Sequence, residues 1–211
     1  MKTELELQKE FIEKPELKEQ LEFLKKGGAT GIQGVVLVEA FLKGIRDLGY
    51  KDTAYALNEL NDNSFQAGAR NIHYELIGTN NKIDELVIYD DGHGMVKDML
   101  PVAVTWGGTH RQGSRKGFGK YGYGLPSASL SIAKKYTIYS KVKGSDWHKI
   151  VFDITKLEGS KNPSLDEIRS NPEKCKLPKF INDFEGKNLK ASKLEHGTII
   201  HYEELDRISP T

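Results

Sequence analysis

Residues 86–95 read LVIYDDGHGM, and this stretch decides the fold that the sequence predicts. Its first four residues form an apolar, strand-like run that the following acidic and glycine residues end. A second strand-like run, residues 72–77, precedes it across a turn rich in Gly, Thr and Asn. We therefore expect two neighbouring strands, with Asp90 at the end of the second, where a side chain can point into a pocket at the sheet edge.

The segments before and after these two strands differ in their predicted secondary structure. Upstream, helical patterns cover residues 33–48 and 53–67, and Asp52 is a suitable N-cap for the second helix. Downstream, residues 90–124 hold nine glycines and few large apolar residues. Such a composition predicts a functional loop with one short helix near residues 96–104.

The remainder of the chain is rich in strands. A helix is predicted over residues 126–134, and Ser164 with Glu167 forms a plausible capping box for another short helix. Helices first and strands later indicate an α+β fold, a two-layer α/β sandwich, rather than alternating β and α units. The late strand-like runs are residues 136–142, 148–154 and 198–202, with a Lys- and Asn-rich insert of about residues 156–196 before the last.

Composition limits the classes of protein that the chain can represent. The 211 residues are 37% hydrophobic and 29% charged, which suits one domain with an appendage. A net charge of +1 gives no global argument for nucleic acid or membrane, and the single cysteine, Cys175, excludes a disulfide framework. Without a signal peptide or an apolar membrane span, we expect a soluble protein of the cytoplasm, or of the nucleus in a eukaryote. Residues 1–30 are expected to form a helical appendage, either a solvated helix or a dimerisation arm.

The predicted helix over residues 53–67 carries a polar stripe. At about 100° per residue, Glu59, Asn63 and Gln66 fall on one face. An amide oxygen is a suitable ligand for Mg²⁺, and a carboxylate one turn away can take a proton from an attacking water. A solvent-exposed polar face remains the alternative. The residues expected on the other side are Leu57, Leu60 and Ser64.

Asp90 and the glycines after it suggest a site for a flat ligand. A carboxylate at this place can accept a hydrogen bond from an exocyclic amine such as adenine N6. Gly92 and Gly94 lack a Cβ, which lets the backbone approach a ligand and adopt a positive φ. A plain tight turn explains the same residues, and we assign no role to His93.

A second glycine-rich stretch, residues 113–129, reads GSRKGFGKYGYGLPSAS. It matches the dinucleotide-binding fingerprint in letters, but no strand precedes it, and Lys120 is not followed by the Ser or Thr of a P-loop. Glycines that lead into a helix can present several backbone N–H groups and a helix N-terminus to one phosphate. The stretch therefore predicts a phosphate-binding loop, which can also act as a mobile lid.

Four motifs in fixed order resemble the GHKL ATPases, the family of gyrase, the heat-shock chaperone, histidine kinases and MutL. They are ELNDNS, DDGHGM, GFGKYGYGL and the late HGTIIHY, and ELNDNSFQAGA is most similar to the MutL, microrchidia and chaperone branch. The resemblance implies a Bergerat fold, with a mixed, mostly antiparallel sheet and helices on one face. It further implies an ATPase domain over residues 31–205, with a lid at about 105–120, and a linker beginning at 206–211.

The resemblance also assigns roles, with ATP and Mg²⁺ as cofactors. Glu59 matches the base that activates water, Asn63 the Mg²⁺ ligand, and Asp90 the partner of adenine N6. Gly92, Gly94 and Met95 match the adenine wall, and Thr198 the late-strand threonine near adenine. Other residues implied to contact ATP are Thr109, Gly119, Lys120, Tyr121, Gly122, Tyr123, Gly124 and Leu125.

Two departures from the family bear on function. Gln66 stands where this branch commonly has aspartate. The sequence also ends about where such proteins begin a transducer domain, whose lysine reaches the γ-phosphate, so we expect slow hydrolysis by this chain alone. The leading hypothesis is a Mg²⁺-dependent ATPase whose lid closure drives conformational change or homodimerisation of a larger protein. One alternative is a nucleotide-gated switch with little hydrolysis, for which a role on DNA stays open but is unsupported by the net charge. Another is a histidine kinase domain, disfavoured because no histidine precedes His73.

Overall fold

The computed structural model of the chain describes residues 36–79, 82–108, 122–160 and 163–207. All elements below belong to the compact unit Val38–Thr211. The predicted appendage, residues 1–30, lies outside the described residues. Within the described ranges, no helix is both long and apolar enough to cross a membrane.

A six-stranded sheet with the order β1-β2-β6-β3-β4-β5 forms the centre of the fold. Every pair of neighbouring strands is antiparallel, so the α+β prediction is confirmed and the mixed sheet becomes a fully antiparallel one in the described part of the chain. The strands are β1 (Ile72–Thr79), β2 (Lys82–Asp90), β3 (Ala133–Lys141), β4 (His148–Asp153), β5 (Glu173–Lys174) and β6 (Gly197–Leu205).

Helices cover one face of this sheet. Strand side chains alternate between the two faces, and Ile88, Ile138 and Tyr202 point toward the same core as Leu60 and Leu130 from the helices. The α-helices are α1 (Val38–Leu48), α2 (Thr53–Gln66), α3 (Leu100–Ala103), α4 (Gly124–Ile132) and α5 (Lys179–Asn182). Four 3₁₀ helices accompany them, at Lys97–Met99, Ile154–Leu157, Leu165–Ile168 and Ala191–Lys193.

Residues 175–194 of the insert cover part of the opposite face, whereas its Leu157, Leu165 and Ile168 belong to the first core. The buried Ile181, Ala191 and Leu194 of the insert pack against Tyr89 and Tyr139 of the sheet in a second apolar cluster. The Tyr89 hydroxyl accepts a hydrogen bond from the Gly186 amide at 3.3 Å, which fixes the insert to the sheet. The insert is therefore a structural layer that the sequence did not indicate.

Two predicted helix boundaries are wrong by a few residues. The helix expected over residues 126–134 begins at Gly124 and ends at Ile132, because Ala133 already pairs with Leu205 in the sheet. The helix expected from residue 33 begins at Val38, and residues 36–37 are not helical. At the predicted capping box, Ser164 accepts a hydrogen bond from the Asp166 amide at 3.3 Å and caps a 3₁₀ helix.

Arg46 joins three parts of the fold. Its buried guanidinium donates to the Leu130 and Ala133 carbonyls at 3.0 and 3.2 Å, at the carboxyl end of α4. It also contacts both oxygens of Asp206 at 2.5 Å, just after β6. This arrangement, the Arg46 clasp, ties α1 to the end of α4 and to the segment that follows the last strand.

Candidate functional site

A cavity of about 210 Å³, the central cavity, opens between α2, the beginning of α4 and the ends of β2 and β6. It is mostly apolar, with a few polar groups along its wall. A concave, largely apolar site with a few convergent polar side chains is the usual form of a small-molecule site. The sequence-predicted residues that line it are Glu59, Asn63, Gln66, Asp90, Gly94, Met95, Gly122, Gly124, Leu125 and Thr198.

Helix α2 supplies the polar wall of the central cavity. The helix begins where the Asp52 carboxylate accepts a hydrogen bond from the Tyr55 amide at 3.1 Å, as expected of an N-cap. Glu59, Asn63 and Gln66 then all face the cavity, so the predicted stripe is brought together on one side.

Ser64 corrects the prediction that it faces away from the stripe. Its hydroxyl donates a hydrogen bond to the Asp90 carboxylate at 3.0 Å, inside the central cavity. Residues next to each other on a helix differ by only about 100°. A cavity that extends under α2 toward the sheet therefore reaches Ser64 as well as Asn63.

Asp90 lies at the end of β2 and is 7% exposed. The Gly92 amide donates to its Oδ1 at 2.8 Å, and Ser64 donates to its Oδ2. Burial raises the pKa of the Asp90 carboxyl, while these hydrogen bonds oppose the rise. The Thr198 backbone amide is a third hydrogen-bond donor to this carboxylate, so one of its about four lone-pair sites remains for a ligand.

The two glycines after Asp90 let the loop pack closely on the rest of the protein, and only Gly94 has the positive φ that was expected of both. Gly92 does not have a positive φ, and a Cβ there would lie 2.8 Å from the Ala67 Cβ. Gly94 does, at +70°, and its Cβ would lie 2.0 Å from the Lys141 carbonyl oxygen. Both residues let the loop pass close to other backbone, and only Gly94 lines the cavity.

Thr198 and Ser140 form a polar pair that the sequence analysis found only in part. The Ser140 hydroxyl donates to the Gly197 carbonyl and accepts from the Met95 amide, both at 2.9 Å. Its single proton is thus used, so Thr198 must donate in the 2.9 Å contact between the two hydroxyls. The lone pairs of Thr198 are left for a ligand. Ser140 could have been recognised from the sequence as a hydroxyl on the core-facing side of β3, since Tyr136 and Ile138 on that side are aromatic and aliphatic.

The opposite end of the central cavity is built from glycine backbone. Gly122 has φ +67° and lies against Gly108, and the Gly107 amide donates to the Gly122 carbonyl at 3.1 Å. This bond closes the base of the segment predicted as the lid. Tyr123 is exposed and does not line the cavity. Thr109, Gly119, Lys120 and Tyr121 lie outside the described residues.

Glu59 meets the beginning of α4 at Gly124. A Cβ on Gly124 would lie 1.9 Å from Glu59 Oε1, so only glycine lets the carboxylate approach this closely. Burial raises the pKa of the Glu59 carboxyl, and the negative charge of Asp62 adds to the rise. A carboxylate with a raised pKa beside a helix N-terminus is suited to accept a proton next to a bound anion.

Comparison with known proteins agrees with this geometry. A family model described as histidine kinase-, DNA gyrase B-, and HSP90-like ATPase matches residues 50–183, more than half of the chain. ATPase morc-1 of Caenorhabditis elegans is 33% identical over 89 residues. The matched part is 42% of this chain and 10% of that relative, so the chain spans about a tenth of the relative's length.

Proposed function

Because the chain belongs to the family of histidine kinase-, DNA gyrase B- and HSP90-like ATPases, we propose that it binds ATP in the central cavity and hydrolyses it to ADP and phosphate. The observation that carries the proposal is that Glu59, Asn63 and Asp90 line one cavity. They are a candidate base, a candidate Mg²⁺ ligand and a candidate adenine partner. The remaining groups of the cavity fit these three roles.

Asp90 and Thr198 would recognise the adenine ring. Both line the central cavity and can accept one more hydrogen bond, and the register of β2 with β6 places them directly opposite each other. The Asp90 carboxylate accepts a hydrogen bond from the adenine amino group. Because the backbone around Gly94 is held by its packing on Lys141, the wall does not have to rearrange when the ring enters.

Glu59 would orient the attacking water and take its proton. Phosphoryl transfer depends mainly on positioning and electrostatics, so a carboxylate held beside the phosphate site is the main contribution of the protein. Gly122, Gly124 and the first turn of α4 supply backbone N–H groups for the phosphates. The family resemblance implies that a lysine of a further domain completes the site, so we propose that hydrolysis by this chain alone is slow.

The donor set of the central cavity fits Mg²⁺ that is carried with the nucleotide. Among the described residues no group of three or more His, Cys, Asp or Glu side chains is placed to hold a metal ion. Mg²⁺ in nucleotide sites keeps waters and phosphate oxygens and needs only one or two protein oxygens. The Asn63 amide oxygen would supply one, and the ion when bound would neutralise phosphate charge.

Replacing Glu59 by alanine tests hydrolysis. We expect the rate of phosphate release to fall at least about 100-fold, since a positioned general base contributes about that much. ATP binding, measured by calorimetry with Mg²⁺, should change little. Glu167→Ala, an exposed acidic residue of the insert, is the control. Equal rates of phosphate release by the wild type and Glu59→Ala would contradict the proposal that the chain hydrolyses ATP.

We further propose that nucleotide binding changes the conformation or association of a larger protein. The hydrogen bond between Gly107 and Gly122 lies at the base of the predicted lid, whose closure over ATP we propose as the source of this change. Light scattering of the chain with and without a non-hydrolysable ATP analogue tests for a nucleotide-dependent homodimer. An unchanged mass at every nucleotide concentration would argue against dimerisation by this chain.

A second candidate function is a nucleotide-gated switch that contacts nucleic acid. Lys141, Lys176 and Lys179 line an open cleft of about 540 Å³, the lysine cleft, beside Trp147. The one acidic residue lining it, Asp146, is engaged by Lys174 at 2.5 Å, so the cleft has a net positive charge. If it holds a phosphate backbone, affinity for DNA should fall steeply with salt and with Lys176→Ala. Binding that is absent at low salt, with and without ATP, would exclude this function.

A further inference from the structure

Tyr50 lies in the short connection between α1 and α2 and approaches the central cavity. Its half-buried hydroxyl donates a hydrogen bond to the Gly124 carbonyl at 3.4 Å. Gly124 is also the residue against which the Glu59 carboxylate lies. Groups from three elements, the α1–α2 connection, α2 and α4, therefore meet at one residue.

The Glu59 carboxylate lacks a donor at this meeting point. Within the ranges that the structure describes, no N–H or O–H group hydrogen-bonds to it. Helix α4 offers no titratable side chain, because its sequence is GLPSASLSI. The other titratable groups near Glu59 are Tyr50, Asp62 on the same helix, and Asp90 and His93 along the same cavity.

The Tyr50 hydroxyl contacts the same Gly124 residue as Glu59 and is protonated, so it is the candidate for that donor. Burial, and then the negative charge of Glu59, raise the pKa of Tyr50 to about 12, so the phenol keeps its proton at neutral pH. Its present bond to Gly124 is long for an O–H···O bond, whose usual length is about 2.7–2.8 Å. A bond this weak is readily exchanged for one to a carboxylate, which is the stronger acceptor.

Resting on the ATPase function proposed above, we propose that Tyr50 is a positioning residue for Glu59, whose hydroxyl holds the carboxylate at the beginning of α4 in line with the attacking water. Tyr50 itself touches neither the nucleotide nor the water. It acts on the orientation and charge of Glu59, and the ring packs on the apolar core in either case.

Tyr50→Phe removes only the hydroxyl and is the decisive variant. Tyr55→Phe is its matched control, because Tyr55 lies one turn before Glu59 on α2 but is 55% exposed, and its hydroxyl makes no hydrogen bond within the described residues. The first measurement is the pKa of Glu59 in the nucleotide-free protein, from the carboxyl ¹³C shift as pH is varied. Exchange of the weak Gly124 bond for one to Glu59 stabilises the charged carboxylate, so Tyr50→Phe, which cannot form that bond, should raise this pKa by about half a unit or more, and Tyr55→Phe should not.

The second measurement is the pH profile of ATP hydrolysis. The base acts when deprotonated, so the acidic limb of kcat should move to higher pH by the same amount as the pKa. At its optimum, kcat should fall about tenfold while KM for ATP stays within about twofold, because only the transition state is affected. Tyr55→Phe should match the wild type in both quantities.

Two results would overturn the proposal. One is an unchanged Glu59 pKa in Tyr50→Phe, and the other is a fall in kcat without a shift of the pH profile, which a purely structural role would give. If the wild type hydrolyses ATP no faster than Glu59→Ala, the proposed ATPase function fails instead. The nucleotide-free pKa measurement still decides the role of Tyr50 in that case.

Discussion

The negative charge of Asp90 is buried, and this burial lowers the free energy of unfolding. Burial raises the pKa of its carboxyl above the ordinary value of 3.8, so the folded state binds protons more readily than the unfolded one. The free energy of unfolding therefore falls as pH rises from about that value through the raised pKa. The hydrogen bonds from Gly92 and Ser64 reduce this cost but do not remove it.

Asp90→Asn should separate folding from binding. Without the buried charge, the variant should be more stable than the wild type at pH 7, and the difference should vanish below about pH 3.8. ATP affinity should fall about 100-fold, because an unpaired polar group in the site costs about 1–3 kcal/mol. Urea unfolding at several pH values and calorimetry measure the two effects. A variant that is both less stable and fully able to bind ATP would contradict this account.

At the scale of single residues, the sequence predicts which side chains share a helix face, but it does not predict contacts between residues that lie far apart along the chain. Glu59 and Asn63 could be predicted because one turn of α2 places them on one face. Ser140 and Tyr50 could not, since their partners Gly197 and Gly124 lie 57 and 74 residues away along the chain. Such pairs exist only after the sheet and helices have assembled.

At the scale of elements, the contact between α2 and α4 depends on one glycine. Alanine normally stabilises a helix interior relative to glycine by about 0.5–1 kcal/mol. At Gly124 this gain is opposed, because the new Cβ would overlap Glu59 Oε1. We therefore expect Gly124→Ala to remain folded but to lose ATP hydrolysis about 100-fold, through displacement of the general base.

Gly44→Ala in α1 is the matched control for this substitution. A Cβ at Gly44 meets nothing within 4 Å, so the variant should gain stability and keep its hydrolysis rate. Thermal unfolding and phosphate release, measured on both variants, test the pair. Equal hydrolysis by Gly124→Ala and Gly44→Ala would show that the position of Glu59 against α4 is unimportant.

The existence of the main elements could be predicted more reliably than their ends. The strands at β1, β2, β3, β4 and β6 and the helices α1, α2 and α4 all follow from apolar patterning. The predicted helix after Gly124 extended two residues too far, because Ala133 and Lys134 have no local signal that assigns them to β3. The start of α4 was also predicted wrongly. Glycines are weak helix formers, so the local sequence offers no reason to begin the helix at Gly124.

At the scale of the whole molecule, the Arg46 clasp holds the most deeply buried Lys or Arg side chain among the described ion pairs, at 8% exposure. Arg46→Met keeps the apolar stem but leaves two carbonyls and Asp206 without their partner. Leaving the two buried carbonyls without a donor lowers the free energy of unfolding by about 1–3 kcal/mol, and loss of the pair with Asp206, whose side chain is 37% exposed, adds less. Lys143→Met removes an exposed pair with Glu195 and should leave stability unchanged. Urea unfolding compares the two, and equal losses would refute the assignment.

Of the two layers that cover the sheet, the sequence predicted only one. Helices on one face follow from the order of elements, and the motif order fixed the family. The second layer was not predicted because the insert is built from a two-residue strand, a four-residue helix and 3₁₀ turns. Such pieces have no periodicity, and their apolar residues are recognisable as core only once Tyr89 and Tyr139 are seen beneath them.

The position of the Arg46 clasp has a mechanical consequence. Helix α4 is a stiff rod of nine residues, about 13 Å long, with Gly124 at one end and the clasp at the other. We therefore expect a displacement of Gly124 along the helix axis to shift the Leu130 and Ala133 carbonyls that Arg46 holds, and with them the contact to Asp206.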